Sequence, residues 1–264
     1  LYKGEDLTTW SEKQMSHFRG KCCSIVFQDP MTSLNPVFTI GSQLGEAIRL
    51  HTNRRGKQVR ERAIEMLELV GINEPEKRIK QYPFELSGGM RQRVMIAMAL
   101  ACEPDILIAD EPTTALDVTI QAQILELMQD LQKKLGMAVI LVTHDLGVIA
   151  DMCDNIIVMY GGRICERGTA REIFYNPKHE YTKGLLRSIP NVNNMKKKLV
   201  PIAGTPINML NLPAGCAFCT RCDAAMKICL TEHPDELTIN ENHKAACWVN
   251  IRDRLMAEGG EGNV

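Results

Sequence analysis

Short, almost wholly apolar segments separated by amphipathic helical patterns constrain the fold of this chain more than any other feature. Three such segments lie at residues 22–27, 105–109 and 137–142, and polar residues follow each of them. Between the last two, residues 118–135 carry apolar side chains at helical spacing, closed by Gly136. Strands that are apolar on both faces belong to parallel sheets covered by helices. The alternation therefore predicts an α/β fold with a largely parallel sheet.

Length and composition predict one large domain with a smaller appendage. The chain has 264 residues, 45% of them hydrophobic, which suffices for a sizeable core. The alternating pattern ends near Pro177, so we expect a large domain over residues 1–190, a C-terminal extension over 191–250 and a disordered polar tail over 251–264. The chain begins at Leu1, in a stretch typical of a domain interior, and we expect a fragment.

Charge argues against two classes of partner, nucleic acid and an anionic membrane surface, and hydropathy argues against a membrane-spanning segment. The net charge is −1, which gives no electrostatic basis for nucleic-acid binding. The sequence contains no run of about 18 apolar residues that could span a membrane, and it does not open with the basic and apolar regions of a signal peptide. We therefore expect a cytosolic protein with no nucleic-acid partner.

Ser87, Gly88 and Gly89 open a predicted helix. A hydroxyl and two glycine amides at a helix N-terminus favour an anion, because the dipole and the unpaired N–H groups point there. Serine is also a common helix N-cap, and for this triplet alone a capped helix with a glycine turn is the commoner interpretation. The triplet predicts either a capped helix or a phosphate-facing helix end.

Polar residues that can act on phosphates end two of the predicted strands. Asp110 and Glu111 follow the segment at 105–109, and His144 follows the segment at 137–142. Asp110 could bind Mg²⁺ through carboxylate oxygen, and Glu111 could deprotonate an attacking water. His144 could contact a γ-phosphate. Each residue alone is more often an ordinary turn or strand-end residue, so their order along the chain decides the interpretation.

Five motifs in series resemble the ABC-type nucleotide-binding domain along nearly all of residues 1–190. They are QDP at 28–30, LSGGM at 86–90, ILIADEP at 106–112, ALD at 115–117 and VTHD at 142–145. The resemblance implies a P-loop NTPase-like fold with a helical signature subdomain. Met90 stands where many relatives have Gln.

The resemblance also implies an ATP- and Mg²⁺-dependent site shared by two subunits in a head-to-tail pair. It makes Glu111 the catalytic base and His144 the switch histidine, with Asp110 and Gln28 as Mg²⁺ ligands. The ATP-binding residues that it implies are Gln28 of the Q-loop, Ser87, Gly88 and Gly89 of the signature, Asp110 of Walker B and Asp117 of the D-loop.

The phosphate-binding loop of such domains does not occur in these 264 residues. No G-x-x-x-x-G-K-[ST] sequence is present, although its backbone amides and lysine would cradle the phosphates. We therefore expect an N-terminally truncated domain that can supply a signature but not a whole ATP site, and that is inactive as an ATPase by itself.

Five cysteines lie within residues 216–247. In a cytosolic protein, such crowding indicates metal binding rather than disulfides, and four thiolates suffice for Zn²⁺ or an iron–sulfur cluster. Zinc fits less well, because Cys229 and Cys247 do not form a second C-x-x-C pair. Residues 213–248 resemble the C-terminal extension of peptide-importer ATPases, whose C-x5-C-x6-C-x17-C spacing is associated with a [4Fe–4S] cluster. By that resemblance the ligands are Cys216, Cys222, Cys229 and Cys247, while Cys219 occupies a position not normally a ligand.

The resemblance implies an ATPase subunit that powers oligopeptide or dipeptide import. Its implied partners are a second, paralogous ABC ATPase, two membrane permease subunits and, indirectly, an extracytoplasmic peptide-binding protein. It implies a peripheral protein at the cytoplasmic face of a prokaryotic membrane. Residues 31–48 resemble the region that receives a coupling helix from the permease. The cargo stays open among dipeptides, longer peptides and nickel.

Two alternatives remain, the first within the same superfamily and the second from another class. One is a soluble ABC ATPase acting on DNA or ribosomes, but DNA-repair members insert long coiled coils between the Q-loop and the signature, whereas only residues 31–86 lie between QDP and Ser87 here. A metal-binding redox or structural module would require the series of ATPase motifs to be coincidental.

Overall fold

A computed structural model describes residues 1–114, 116–189 and 201–257, which fall into two compact units. The first unit spans Leu1–His144 and the second Asp145–Val264. No helix within the described residues is both long and apolar enough to cross a membrane.

The first unit is built on a parallel sheet, as the apolar segments predict. Its three strands are β1 (Cys23–Val26), β2 (Ile106–Asp110) and β3 (Ala138–Val142), in the order β1-β2-β3. Ile25 lies opposite Ile108, and Ile108 lies opposite Ile140. Because the strands are parallel and in register, the residues that follow them leave the sheet at one edge.

Within the described residues, the first unit also contains seven helices. They are α1 (Glu12–Lys21), α2 (Pro30–Ser33), α3 (Ile40–His51), α4 (Lys57–Leu69), α5 (Pro75–Arg78), α6 (Gly88–Leu100) and α7 (Val118–Leu135). Short 3₁₀ turns occur at Leu7–Thr9 and Pro83–Glu85. The predicted helix at 118–135 is confirmed, and Gly136 ends it in the left-handed region at φ 66°.

A helical subdomain forms from α3, α4 and α6, whose apolar faces pack on one another. The fully buried side chains of this core come from all three helices. They include Ile40, Leu44, Ile48, Met66, Leu67, Ile96 and Leu100. Burying a Leu or Ile side chain contributes about 1.5–3 kcal/mol, so this core stabilises the packing of α6 on α3 and α4.

The second unit contains an antiparallel sheet in the order β4-β5-β7-β6. Its strands are β4 (Asn155–Tyr160), β5 (Arg163–Thr169), β6 (Leu237–Asn240) and β7 (His243–Ala245). Gly161 and Gly162, at φ 58° and 75°, make the predicted hairpin turn between β4 and β5. The helices are α8 (Leu146–Met152), α9 (Ala170–Tyr175), α10 (Glu180–Arg187), α11 (Ile228–Thr231) and α12 (Trp248–Ala257), with a 3₁₀ turn at Cys219–Arg221.

The antiparallel sheet contains strands from both sides of the predicted domain boundary near residue 190. Glu166 of β5 pairs with Ala245 of β7, so strands from both sides of residue 190 lie side by side. The division of the chain at residues 190 and 250 stays a prediction. Residues 251–257, where polar composition predicts a disordered tail, form most of α12, since Ile251 and Leu255 recur at helical spacing. The rest of the predicted tail, 258–264, lies outside the described residues.

Candidate functional site

The edge of the parallel sheet gathers polar residues from three strands. Gln28 lies two residues beyond β1, Asp110 ends β2 and is followed by Glu111, and His144 lies two residues beyond β3. The strand pairing brings Gln28, Glu111 and His144 into direct contact.

The carboxylate of Glu111 is the centre of this group. Its Oε2 accepts hydrogen bonds from Gln28 Nε2 at 2.5 Å and from Thr114 Oγ1 at 3.0 Å. Its Oε1 lies 3.0 Å from His144 Nδ1. The Glu111 side chain is 26% exposed and that of His144 is 77% exposed. The carboxylate is therefore held by three donors yet is still open to water.

The backbone at Glu111 adopts an unusual conformation. Its φ is +43°, in the left-handed region that residues other than glycine rarely occupy. Its N–H donates to the carbonyl of Val142 in β3 at 2.9 Å, which helps to hold this conformation. Backbone strain of this kind concentrates at functional sites. The sharp turn after β2 directs the Glu111 side chain toward Gln28 and His144.

Hydrogen bonds set the electrostatics of Glu111. The contact with His144, followed by that with Thr114, holds the pKa of Glu111 below its usual value. The carboxylate is thus ionised at neutral pH and acts as a hydrogen-bond acceptor. Thr114 belongs to none of the motifs that the sequence presents. A threonine three residues after a strand-end acid is a weak signal, because many turns contain one.

Asp110 lies at the end of β2, in register with Val142 of β3. Its carboxylate and the amide carbonyl of Gln28 are oxygen donors, which suit a hard cation such as Mg²⁺. Within the described residues, no group of three or more His, Cys, Asp or Glu side chains is arranged to hold a metal ion. The roles of Asp110 and Gln28 as Mg²⁺ ligands stay a prediction.

The signature residues lie at the N-terminus of α6. Ser87 is the N-cap, and its Oγ accepts a hydrogen bond from the backbone N–H of Met90 at 3.4 Å. A Cβ on Gly89 would lie 2.8 Å from Ile120 of α7, so glycine is needed there for helix packing. A Cβ on Gly88 would come no closer than 3.8 Å to another described residue outside its own turn. Capping and packing thus account for Ser87 and Gly89, but not for Gly88.

Asp117 is the N-cap of α7. Its Oδ1 accepts a hydrogen bond from the N–H of Ile120 at 3.0 Å, so its carboxylate stabilises a helix end. The predicted ATP contact of Asp117 is an additional role that stays a prediction, as do the ATP contacts of Ser87, Gly88 and Gly89.

The predicted iron–sulfur ligands lie in the second unit. Cys229 and Cys247 are buried, and Cys216 and Cys222 are half-buried. Burial, with a smaller contribution from neighbouring cysteines, raises the pKa of both the Cys216 and the Cys222 thiol to about 11. These thiols are neutral at neutral pH. In this region too, no three of the described His, Cys, Asp or Glu side chains are arranged to hold a metal ion. The four side chains do not form the ligand set that the resemblance implies.

Comparison with known proteins agrees with the fold and the motifs. Residues 1–114 match the family described as ABC transporter, and residues 165–229 match the family described as oligopeptide/dipeptide transporter, C-terminal region. The second match begins within β5, ahead of the predicted extension at 191.

Two relatives from Bacillus subtilis (strain 168) span most of the chain. The dipeptide transport ATP-binding protein DppD is 52% identical over 249 residues, which are 94% of this chain and 74% of that protein. The oligopeptide transport ATP-binding protein OppD is 52% identical over 262 residues, 99% of this chain and 73% of that protein.

Solved structures give the same class. The ATP-binding cassette MJ0796, in a dimeric post-hydrolysis state bound to ADP and Pi, has a TM-score of 0.55 and 30% identity over 62% of this chain and 69% of its own. CbiO1 of Clostridium perfringens, part of the ABC transporter complex cbiONQ, has a TM-score of 0.55 and 31% identity over 63% of this chain and 64% of its own.

The fold, the series of motifs and these matches define an ABC ATPase. Within that class, the chain belongs to the family of ATP-binding proteins of oligopeptide and dipeptide transporters.

Proposed function

We propose that this chain belongs to the subunit that binds ATP and Mg²⁺ and hydrolyses ATP to power the import of peptides across the cytoplasmic membrane. The observation that carries the proposal is the contact of Gln28 and His144 with the Glu111 carboxylate at one edge of the parallel sheet. Relatives at 52% identity are named dipeptide and oligopeptide transport proteins. The alternatives of a DNA- or ribosome-acting ATPase and of a metal module lack comparable support.

Glu111 is the general base in this proposal. An ionised carboxylate offers about four lone-pair sites. Gln28, Thr114 and His144 use three of them, so one more donor, the attacking water, can be accommodated. Glu111 would orient this water and accept its proton. Exposed His144 can turn toward the phosphate without disturbing the core.

Asp110 and Gln28 are the proposed Mg²⁺ ligands. When bound with nucleotide, Mg²⁺ neutralises charge on the phosphate oxygens. Such sites need only one or two protein oxygens beside water and phosphate, which matches one carboxylate and one amide carbonyl. A cage of several acidic side chains is not required.

The N-terminus of α6 is the proposed contact to ATP held by a second ABC ATPase in a head-to-tail pair. The unpaired N–H groups of a helix start attract phosphate oxygens. Gly88 supports this assignment, because no described neighbour outside its own turn would contact a Cβ there more closely than 3.8 Å. A glycine without a packing requirement is suited to close approach by a ligand. We further propose that the second ATPase is a paralogue.

An exposed apolar surface of the first unit is the proposed contact to the permease. Val37 and Phe38 are 70% and 52% exposed, and Phe84 is 66% exposed and stacked on Tyr82. Hydrogen bonds from Ile40 N to Gln81 O and from Gly41 N to Ile79 O hold the two segments side by side. A surface of this kind suits a protein partner. We propose a permease of two subunits as the partner of this surface. Binding to it would place this peripheral protein at the cytoplasmic face of the membrane. The permease would in turn couple it to an extracytoplasmic peptide-binding protein.

The decisive experiment compares ATP turnover by the full-length subunit, assembled with its partner ATPase and permease, with turnover by the Glu111→Gln variant. We expect turnover to fall by about a thousandfold or more while ATP binding persists, because an amide cannot accept the proton. Glu126→Gln makes the same chemical change on the exposed surface of α7 and should leave turnover intact. Unchanged turnover in Glu111→Gln would overturn the proposal.

A [4Fe–4S] cluster on Cys216, Cys222, Cys229 and Cys247 is a secondary proposal. The observations in its favour are that the Cys216 N–H donates to the Cys229 carbonyl at 2.9 Å and that Cys216 and Cys222 pack against the same buried cluster. Cys247 adds to the raised pKa of both the Cys216 and the Cys222 thiol, so the four residues lie in one region. Because they form no ready ligand group, binding would require their thiols to reorient and ionise.

Iron and acid-labile sulfide in the anaerobically purified full-length subunit test this proposal. We expect about four iron atoms per chain, retained in Cys219→Ser and lost in Cys222→Ser. Absence of iron and sulfide after anaerobic reconstitution would contradict it.

A further inference from the structure

Thr114 contacts Glu111 twice. Its side-chain hydroxyl donates to Glu111 Oε2 at 3.0 Å, and its backbone N–H donates to the Glu111 carbonyl at 3.2 Å. The second contact closes a turn directly after β2. The turn therefore fixes Thr114 against the residue whose carboxylate it contacts.

The three donors to Glu111 differ in how they are attached. Gln28 and His144 are exposed, and each reaches Glu111 from a separate strand end. Thr114 is half-buried and lies three residues from Glu111 in the same turn. A movement of the Gln28 or His144 segment would break its own contact but would leave that of Thr114. The hydroxyl of Thr114 is thus the donor that can stay on Oε2 when the other two move.

The backbone conformation of Glu111 makes the hydrogen bond from the Thr114 hydroxyl important for the orientation of the carboxylate. At φ +43°, the side chain leaves the strand in an unusual direction, and a half-buried carboxylate can still rotate about its side-chain bonds. A hydrogen bond to Oε2 fixes that rotation. Oε1, on the side of His144, is then the oxygen placed to accept the proton of water.

We propose that Thr114 is a positioning residue for hydrolysis: its hydroxyl holds Oε2 of Glu111 so that Oε1 points to the attacking water. This inference rests on the proposed role of Glu111 as the base. Thr114 itself contacts neither nucleotide nor water in this role and exchanges no proton.

The test measures kcat and KM for ATP with the full-length subunit in the assembled transporter. Thr114→Val removes the hydroxyl and keeps the shape, so we expect kcat to fall about tenfold to a hundredfold while KM stays within about twofold. Thr114→Ser keeps the hydroxyl and should restore kcat to within about threefold. Thr113→Val changes the neighbouring threonine of the same turn and is the matched control, expected to stay near the unsubstituted rate.

A double substitution separates positioning from general damage. If Thr114 acts through Glu111, Thr114→Val should cause no further loss in a Glu111→Gln background. Wild-type kcat in Thr114→Val, or an equal loss in Thr114→Ser, would overturn the inference. If the valine variant does not assemble, Thr114→Ala gives the same comparison. Unchanged turnover in Glu111→Gln would instead refute the role of Glu111, whatever the Thr114 variants show.

Discussion

The two units each contain a glutamate–histidine contact, and the two contacts differ mainly in burial. In the first unit, Glu111 and His144 meet at 3.0 Å with 26% and 77% of their side chains exposed. In the second, Glu166 and His243 meet at 2.7 Å and both are 0% exposed. An exposed pair contributes little stability and can separate, whereas a buried pair cannot lose one member without a large cost. The exposed contact is therefore suited to a functional site, and the buried contact is suited to stabilising the fold.

The buried carboxylate joins three parts of the second unit. Glu166 in β5 accepts hydrogen bonds from the backbone N–H of Lys178 at 2.6 Å and of His179 at 2.9 Å, and contacts His243 in β7. The other ring nitrogen of His243 lies 3.3 Å from Glu172, at ion-pair distance but without hydrogen-bond geometry. These contacts hold β5, β7 and the start of α10 together.

Replacing the buried carboxylate is the strongest way to test this difference. In Glu166→Gln, the NH₂ group replaces one carboxylate oxygen and cannot accept a hydrogen bond. It must therefore face either the N–H of His179 or the two donors from Lys178 and His243. We expect the free energy of unfolding of the second unit to fall by about 3–5 kcal/mol. Urea unfolding measured by Trp248 fluorescence in a Trp10→Phe background would report on this unit, since the chain has two tryptophans.

Glu172→Gln is the matched control for that measurement. Glu172 is 27% exposed and contacts the same histidine, so we expect a loss of about 1 kcal/mol or less. Equal losses in the two variants would show that burial does not distinguish the contacts.

Acid should weaken the second unit through His179. Burial lowers the pKa of His179 to about 4, and its Nδ1 accepts the N–H of Tyr181 at the start of α10. The folded-state pKa lies below the unfolded value of about 6.5. The contribution of neutral His179 to the free energy of unfolding is therefore complete above pH 6.5 and is lost as the pH falls toward 4. We expect a loss of about 3 kcal/mol over that range. The pH dependence of Trp248-detected unfolding measures it, and His179→Gln should remove most of the slope.

The sequence predicts the first region far better than the second. The strands, the helix at 118–135 and the polar strand ends follow from local patterns, and parallel pairing then brings Gln28, Glu111 and His144 together. Glu166 and His243 are 77 positions apart and neither lies in a motif, so no local pattern links them. Thr114 was missed because its contact depends on the left-handed backbone of Glu111. The cysteine spacing does not predict where the thiols point.

The exposed pair should have the smallest effect on stability. His144 is 77% exposed, and His144→Ala removes one contact to a carboxylate that Gln28 and Thr114 still hold. We expect the free energy of unfolding of the first unit to change by less than about 0.5 kcal/mol, measured by Trp10 fluorescence in a Trp248→Phe background. ATP turnover by the assembled transporter should nevertheless fall about a hundredfold, because a donor aimed at developing charge acts on the rate rather than on folding. A loss of several kcal/mol would instead make this contact a structural one, like Glu166–His243, and would remove the basis for separating the two regions.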